Sequence, residues 1–211
     1  KNDKWSTSLR PKPKRQNKST IRNQEIMKDQ SGKEDKTMDL LEIMQNRRSV
    51  RSYTGEPISN DNMQKILQAG LLSASSRARC PWEMIVVRDK GVLNQMSECR
   101  TGSARMLAGA DAAIVVIADT AASDVWVEDC SIVMSNMHLM ADSLGIGSCW
   151  IQGRLREAPD GKSTESFLRE LLNFPDGYAL EAVLSLGMPD KHHAKRELSD
   201  LTLNKIHYEV Y

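Results

Sequence analysis

Arg47, Arg48, Ser49 and Arg51 fall within the single stretch RRSVRSY. Arginine presents a planar fork of N–H donors, so neighbouring forks beside a hydroxyl can hold a phosphate bidentately while backbone N–H groups complete the shell. A solvated cluster at a helix end uses the same residues, and spacing alone leaves both readings open. A second group, Ser73, Ser75 and Ser76 in SASSRARCPW, puts hydroxyls at a helix end, where free backbone donors suit an anion or a carbonyl-rich ring. Capping is the alternative role for these serines, with Trp82 as core. In GIGSCW, residues 145–150, the glycines let backbone approach a planar ligand closely or simply make a tight turn. Lys195 and Arg196, in GMPDKHHAKREL, add positive charge either to an anion site or to an exposed loop.

His192 and His193 are adjacent rather than four apart on a helix and lack a carboxylate at metal-site spacing, so no metal is expected. The chain has no G-x-S-x-G, no P-loop and no G-x-G-x-x-G, and no catalytic side chain is assigned. Anion donors near both ends of the domain, with small residues between them, fit a tightly held cofactor that carries its own chemistry.

These groups need elements to position them. The apolar residues Leu40, Leu41, Ile43 and Met44 predict a helix from Asp39 that stops at Asn46, so the arginines follow a helix end. Ser59 or Asn60 caps the next helix, with Met63, Ile66, Leu67 and Leu71 on one side. EMIVVRD, residues 83–89, reads as a strand and GVLNQMSE as a helix. DAAIVVIADT, residues 111–120, is apolar almost throughout and predicts a central strand. A long helix from about Val127 to Ser143 follows, buried on most sides, with SCWIQG a short strand after it. STESFLRELL predicts a capped helix, ALEAVLSLGM a strand, and KIHYEVY a last strand or an arm. Helices and strands mix without βαβ periodicity, which favours an α+β domain.

Charge divides the chain. Residues 1–37 carry eleven Lys/Arg against five Asp/Glu, and residues 38–211 eighteen against twenty-three. The first segment therefore reads as a basic, flexible leader or appended arm, with Met38 a plausible domain start. It lacks an apolar signal core, and its basic residues are not interleaved with aromatics, so nucleic acid is disfavoured as a partner. No segment is long and apolar enough to span a bilayer, and Cys80, Cys99, Cys130 and Cys149 are too widely spaced for a zinc site. A cytoplasmic protein with reduced thiols is expected.

Taken in order, RRSVRSY, SASSRARCPWEMIVV, WVEDCSIVMSNMHLMADSLGIGSCWIQG and LSLGMP, with a basic residue and IHYE after it, resemble the FMN-dependent nitroreductase family in its compact branch. The resemblance covers about residues 38–211. It implies a mostly antiparallel sheet flanked by helices, in a homodimer with FMN at the subunit interface. It implies that Arg47, Arg48, Ser49 and, less directly, Arg51 lie near the FMN phosphate and ribityl chain, and that Lys195 or Arg196 closes on the phosphate. Ser75 and Ser76 would be offered by the other subunit, and Gly145, Ile146, Gly147 and Ser148 would lie near the ring. Ala78 and Cys80 stand where the family commonly has asparagine and glutamine.

The implied activity is oxidoreduction by a ping-pong scheme, from NADH or NADPH through FMN to a nitroaromatic, quinone or similar acceptor, with a ferredoxin-like protein as another possible donor. The competing readings are a non-enzymatic flavin-binding redox sensor or partner-binding module, and a specialised reductive dehalogenase.

Overall fold

The computed structural model describes residues 39–211. The leader expected over residues 1–37 lies outside the described residues.

The helices are α1 (Leu40–Asn46), α2 (Asn60–Leu71), α3 (Lys90–Met96), α4 (Trp126–Ser143) and α5 (Thr164–Leu172). The strands are β1 (Trp82–Val87), β2 (Ala112–Asp119), β3 (Gly147–Gln152) and β4 (Tyr178–Gly187), in the spatial order β1-β2-β4-β3 with every neighbouring pair antiparallel. Side chains satisfy the helix starts: Ser59 accepts from the Asn62 N–H, Asp89 from Val92 and Ser163 from Ser166, each covering one backbone donor that the first turn leaves unpaired.

β2 shows why its sequence is apolar on both parities. Ala112, Ile114, Val116 and Ala118 face a core shared with α2 and α4, while Ala113, Val115 and Ile117 face a second core filled from α3 and α5. A strand covered on both faces has no solvated side to mark with polar residues. β4 serves the same two cores but changes phase along its length. Opposite Val116 and Ile117 its register jumps from Ala182 to Leu180, leaving Glu181 as the extra residue of a β-bulge. The bulge is what lets Leu180 and Val183 share one core while Ala182, Leu184 and Leu186 fill the other. Glu181 itself is buried, which raises its pKa, and its Oε2 has no hydrogen-bond partner.

Two segments leave large apolar residues exposed. The helix expected from Asp39 is present as α1, and its Leu40, Leu41 and Met44 are exposed, since none of the described residues covers that side. Of the two readings of KIHYEVY, a last strand or an arm, the structure has the arm. Every residue from Asp190 to Tyr211 is exposed, with two short 3-10 turns at Leu198–Asp200 and Leu203–Lys205, so the chain ends as an arm. Among the described residues no helix is long and apolar enough to cross a membrane, and no cluster of His, Cys, Asp and Glu could hold a metal.

Candidate active site

The segment Arg47–Tyr53 leaves α1 and is bonded to the open end of the sheet. Its Val50 N–H donates to the Ser148 carbonyl at 2.9 Å, and the Thr54 N–H donates to that of Met188 at 3.0 Å. Two glycines make this close approach possible. A Cβ on Gly147 would lie 2.7 Å from Val50, and one on Gly187 2.6 Å from the Tyr53 ring, so a side chain at either glycine would push the segment off the sheet. Tyr53 adds a clamp: its hydroxyl donates to the Val50 carbonyl and bonds Ser185 Oγ at 2.8 Å. Val50 and Tyr53 thus face inward, while Arg51 between them is exposed and Arg47 and Arg48 before them are half-buried.

Those arginines converge. Arg47, Arg48, Ser49 and Arg51 line one cleft of about 200 Å³ with His193 and Arg196 from the terminal arm. Reciprocal bonds between Gln45 and Arg196, both 2.9 Å, and a 3.0 Å bond from Arg48 to the Ala194 carbonyl hold the arm against the end of α1. Four guanidiniums line the cleft and no carboxylate does. Burial, and after it the charges of Arg196 and Arg48, lower the pKa of Arg47. A cavity that gathers like charge in this way is stabilised by an anion, and planar forks suit a phosphate monoester. The residues present therefore fit the phosphate of FMN.

Ser148 lies against this cleft through its bridge to Ser49. Gly145 supplies the left-handed turn that ends α4, with φ at 71°, and Ile146 and Gly147 are buried at the start of β3. The tight-turn reading thus accounts for Gly145, and close packing on Val50 accounts for Gly147. Lys195 is exposed on the arm between two residues bound to the α1 end, and it is not among the residues lining the cleft.

Ser75 and Ser76 lie elsewhere. The Ser76 N–H donates to Asp129 Oδ1 at 2.8 Å, near the start of α4, whereas Arg47 meets α4 at His138. Nine residues of helix separate those anchors, about 13 Å of rise. The serine loop is itself unusual. Arg77, Ala78 and Cys80 all have left-handed backbone, with φ of 53°, 52° and 45°, and Ser75 Oγ accepts from the Cys80 N–H at 2.9 Å. Cys80 is the exposed cysteine; Cys99, Cys130 and Cys149 are buried, and burial pushes the Cys99 and Cys130 thiols up to about 12.

Sequence reasoning missed three polar residues at the cleft. His193 was considered only for metal binding, yet it lines the cavity. His138 and Asp142 are buried one turn apart on α4, where Asp142 accepts from Asn46 Nδ2 at 3.0 Å. Two polar groups at i and i+4 on the face that also carries Met134, Met137 and Ala141 are a visible signal of a buried polar contact.

The sequence model of the Nitroreductase family matches residues 44–99 and 92–188. The chain belongs to the nitroreductase family. It is 40% identical over 176 residues to an Archaeoglobus fulgidus protein provisionally named NADH dehydrogenase/NAD(P)H nitroreductase, covering 81% of this chain and 98% of that one. The solved structure of an FMN-dependent nitroreductase from Clostridium difficile superposes with a TM-score of 0.78 at 40% identity, covering 80% of this nitroreductase-family chain and 98% of its own. The NADPH:FMN oxidoreductase of Vibrio harveyi, solved with NAD+, superposes with a TM-score of 0.69 at 26% identity, over 82% and 77% of the two chains.

Proposed function

We propose that the arginine cleft binds the phosphate of FMN and that a second copy of the chain completes the flavin site. The chain is an NAD(P)H- and FMN-dependent oxidoreductase of the nitroreductase family. The observation that carries the finer reading is the separation along α4. The guanidiniums gather at its C-terminal half and the serine loop at its N-terminal end, so one protomer holds two half-sites. An antiparallel pairing of two protomers would bring the cleft of one to Ser75 and Ser76 of the other. The exposed apolar residues of α1 and of the arm would supply surface for that pairing.

FMN held there by the cleft arginines would supply hydride and electron transfer between NADH or NADPH and an electron-poor acceptor, such as a nitroaromatic or quinone, the two substrates using the site in turn. The protein's own work is positional and electrostatic. Arg47, Arg48, Arg51 and Arg196 neutralise the phosphate dianion, Ser49 and Ser148 offer hydroxyls beside it, and the start of β3 with Gly145 and Ile146 fixes the backbone near the ring. Lys195 adds charge at the cleft rim. No side chain at the site is assigned as an acid or base.

The test is the visible spectrum of the purified protein, followed anaerobically after NADH or NADPH is added. A flavin spectrum that bleaches with one nucleotide and returns with a nitroaromatic or quinone supports this reading and names the donor. Bound flavin that no nicotinamide reduces would point to a sensor. A protein that stays colourless after incubation with excess FMN and desalting would overturn the phosphate assignment.

A further inference from the structure

We propose that His138 is the positioning residue of the anion site, holding the Arg47 fork as a neutral acceptor on one ring nitrogen while donating to Ser148 from the other. This rests on the reading that the cleft takes the FMN phosphate.

The tautomer follows from the partners. Arg47 Nη1 lies 3.0 Å from His138 Nε2, and a guanidinium has only donors, so Nε2 must carry the lone pair. The ring proton then sits on Nδ1 and is donated to Ser148 Oγ, 2.5 Å away. His138 is 7% exposed, and burial, reinforced by the Arg47 charge, lowers its pKa to about 4, so the ring is neutral at neutral pH.

Neutrality matters for the site. A carboxylate at this position would orient Arg47 equally well but would cancel its charge and compete with the phosphate. The imidazole uses up one N–H of the fork and leaves the charge and the remaining donors for the ligand. Asp142, one turn further along α4, bonds instead to Asn46 and, at 3.4 Å, to His192. The carboxylate therefore braces the end of α1 and the arm, while the imidazole addresses the arginine. Ser148, which already accepts from the ring, keeps its own hydroxyl hydrogen for another acceptor. One histidine thus links the arginine segment to the start of β3, the two stretches that border the cleft.

The experiment compares equilibrium binding of FMN and riboflavin, which differ by the phosphate, to the full chain and its variants. Loss of a hydrogen bond to a charged group predicts that His138→Leu weakens FMN about tenfold, with riboflavin changed by less than about twofold. His138→Gln, whose amide oxygen can accept from Arg47, is expected to recover most of the loss. Adding His138→Leu to Arg47→Ala should cost much less than His138→Leu costs alone. Equal losses for both flavins, or full additivity with Arg47→Ala, would overturn the proposal and leave His138 a packing residue. If Arg47→Ala itself weakens both flavins alike, the phosphate reading fails instead. Should the leucine variant not fold, His138→Asn decides, because asparagine is too short to reach Arg47: it should lose the preference for FMN that glutamine keeps, and equal behaviour of the two would overturn the proposal.

Discussion

β2 and the terminal arm are both rich in large apolar residues, yet Ala112–Ala118 is buried and Asp190–Tyr211 is exposed throughout. On the arm, Leu203, Ile206, Tyr208 and Val210 are each more than half exposed. The difference lies in what surrounds each segment. β2 lies between two strands with helices over both faces, whereas the arm touches the protomer through a few polar bonds near its beginning. Apolar content reports that a segment will be covered; it does not report by which chain.

The most severe break of this contrast is Ile114→Ala, which empties space in a core closed on every side. It is expected to cost about 3 kcal/mol, within the range for large-to-small core changes, read from the urea midpoint. An unchanged midpoint would mean that β2 is not the centre of the core.

Acid sharpens the contrast by charging a buried group. His138 is depressed from its ordinary 6.5 to about 4, so between those values the unfolded chain binds a proton that the folded chain refuses. Its contribution is therefore intact above pH 6.5 and lost as pH falls through 6.5 towards 4, with an upper size on the order of 3 kcal/mol. The groups around it are Arg47, Ser148 and, one turn away, Asp142. Denaturation of His138→Gln across that window should lack this part of the acid loss; an identical slope would place the titration elsewhere.

Leu203→Ser on the arm is expected to have the smallest effect on the protomer, under about 0.5 kcal/mol, because an exposed side chain surrenders little. Its consequence is expected in the proposed pairing of two protomers. Sedimentation should show weaker self-association, and stability should become less dependent on protein concentration. A large loss of stability with unchanged association would put Leu203 inside the protomer's own core.

Much of the fold was legible because its signals are local. The two-sided burial of β2 shows in its unbroken apolar run, and Ser59 and Ser163 announce their helices through side chains that cap within three residues. The bulge at Glu181 was not legible, since a one-residue phase change inside an apolar strand leaves no mark on composition. The exposure of Leu40, Leu41 and Met44 on α1 was not legible, because periodicity gives a face without naming its neighbour. At the site, RRSVRSY declared its charge, but the meeting of Arg196 and His193 with it depends on the path of the arm, across well over a hundred residues of chain. His138 was hidden among methionines, and only its spacing from Asp142 hinted at a role.

The left-handed backbone at Ala78 and Cys80 has a consequence for engineering. Asparagine tolerates that conformation better than alanine or cysteine, which pay for it sterically. The loop's shape is therefore imposed by its anchors, the Ser75 hydroxyl and the strand that begins at Trp82, and not by the side chains it carries. Amides could be written into both positions without redrawing the chain, which makes this short turn a ready place to retune the protein by two substitutions.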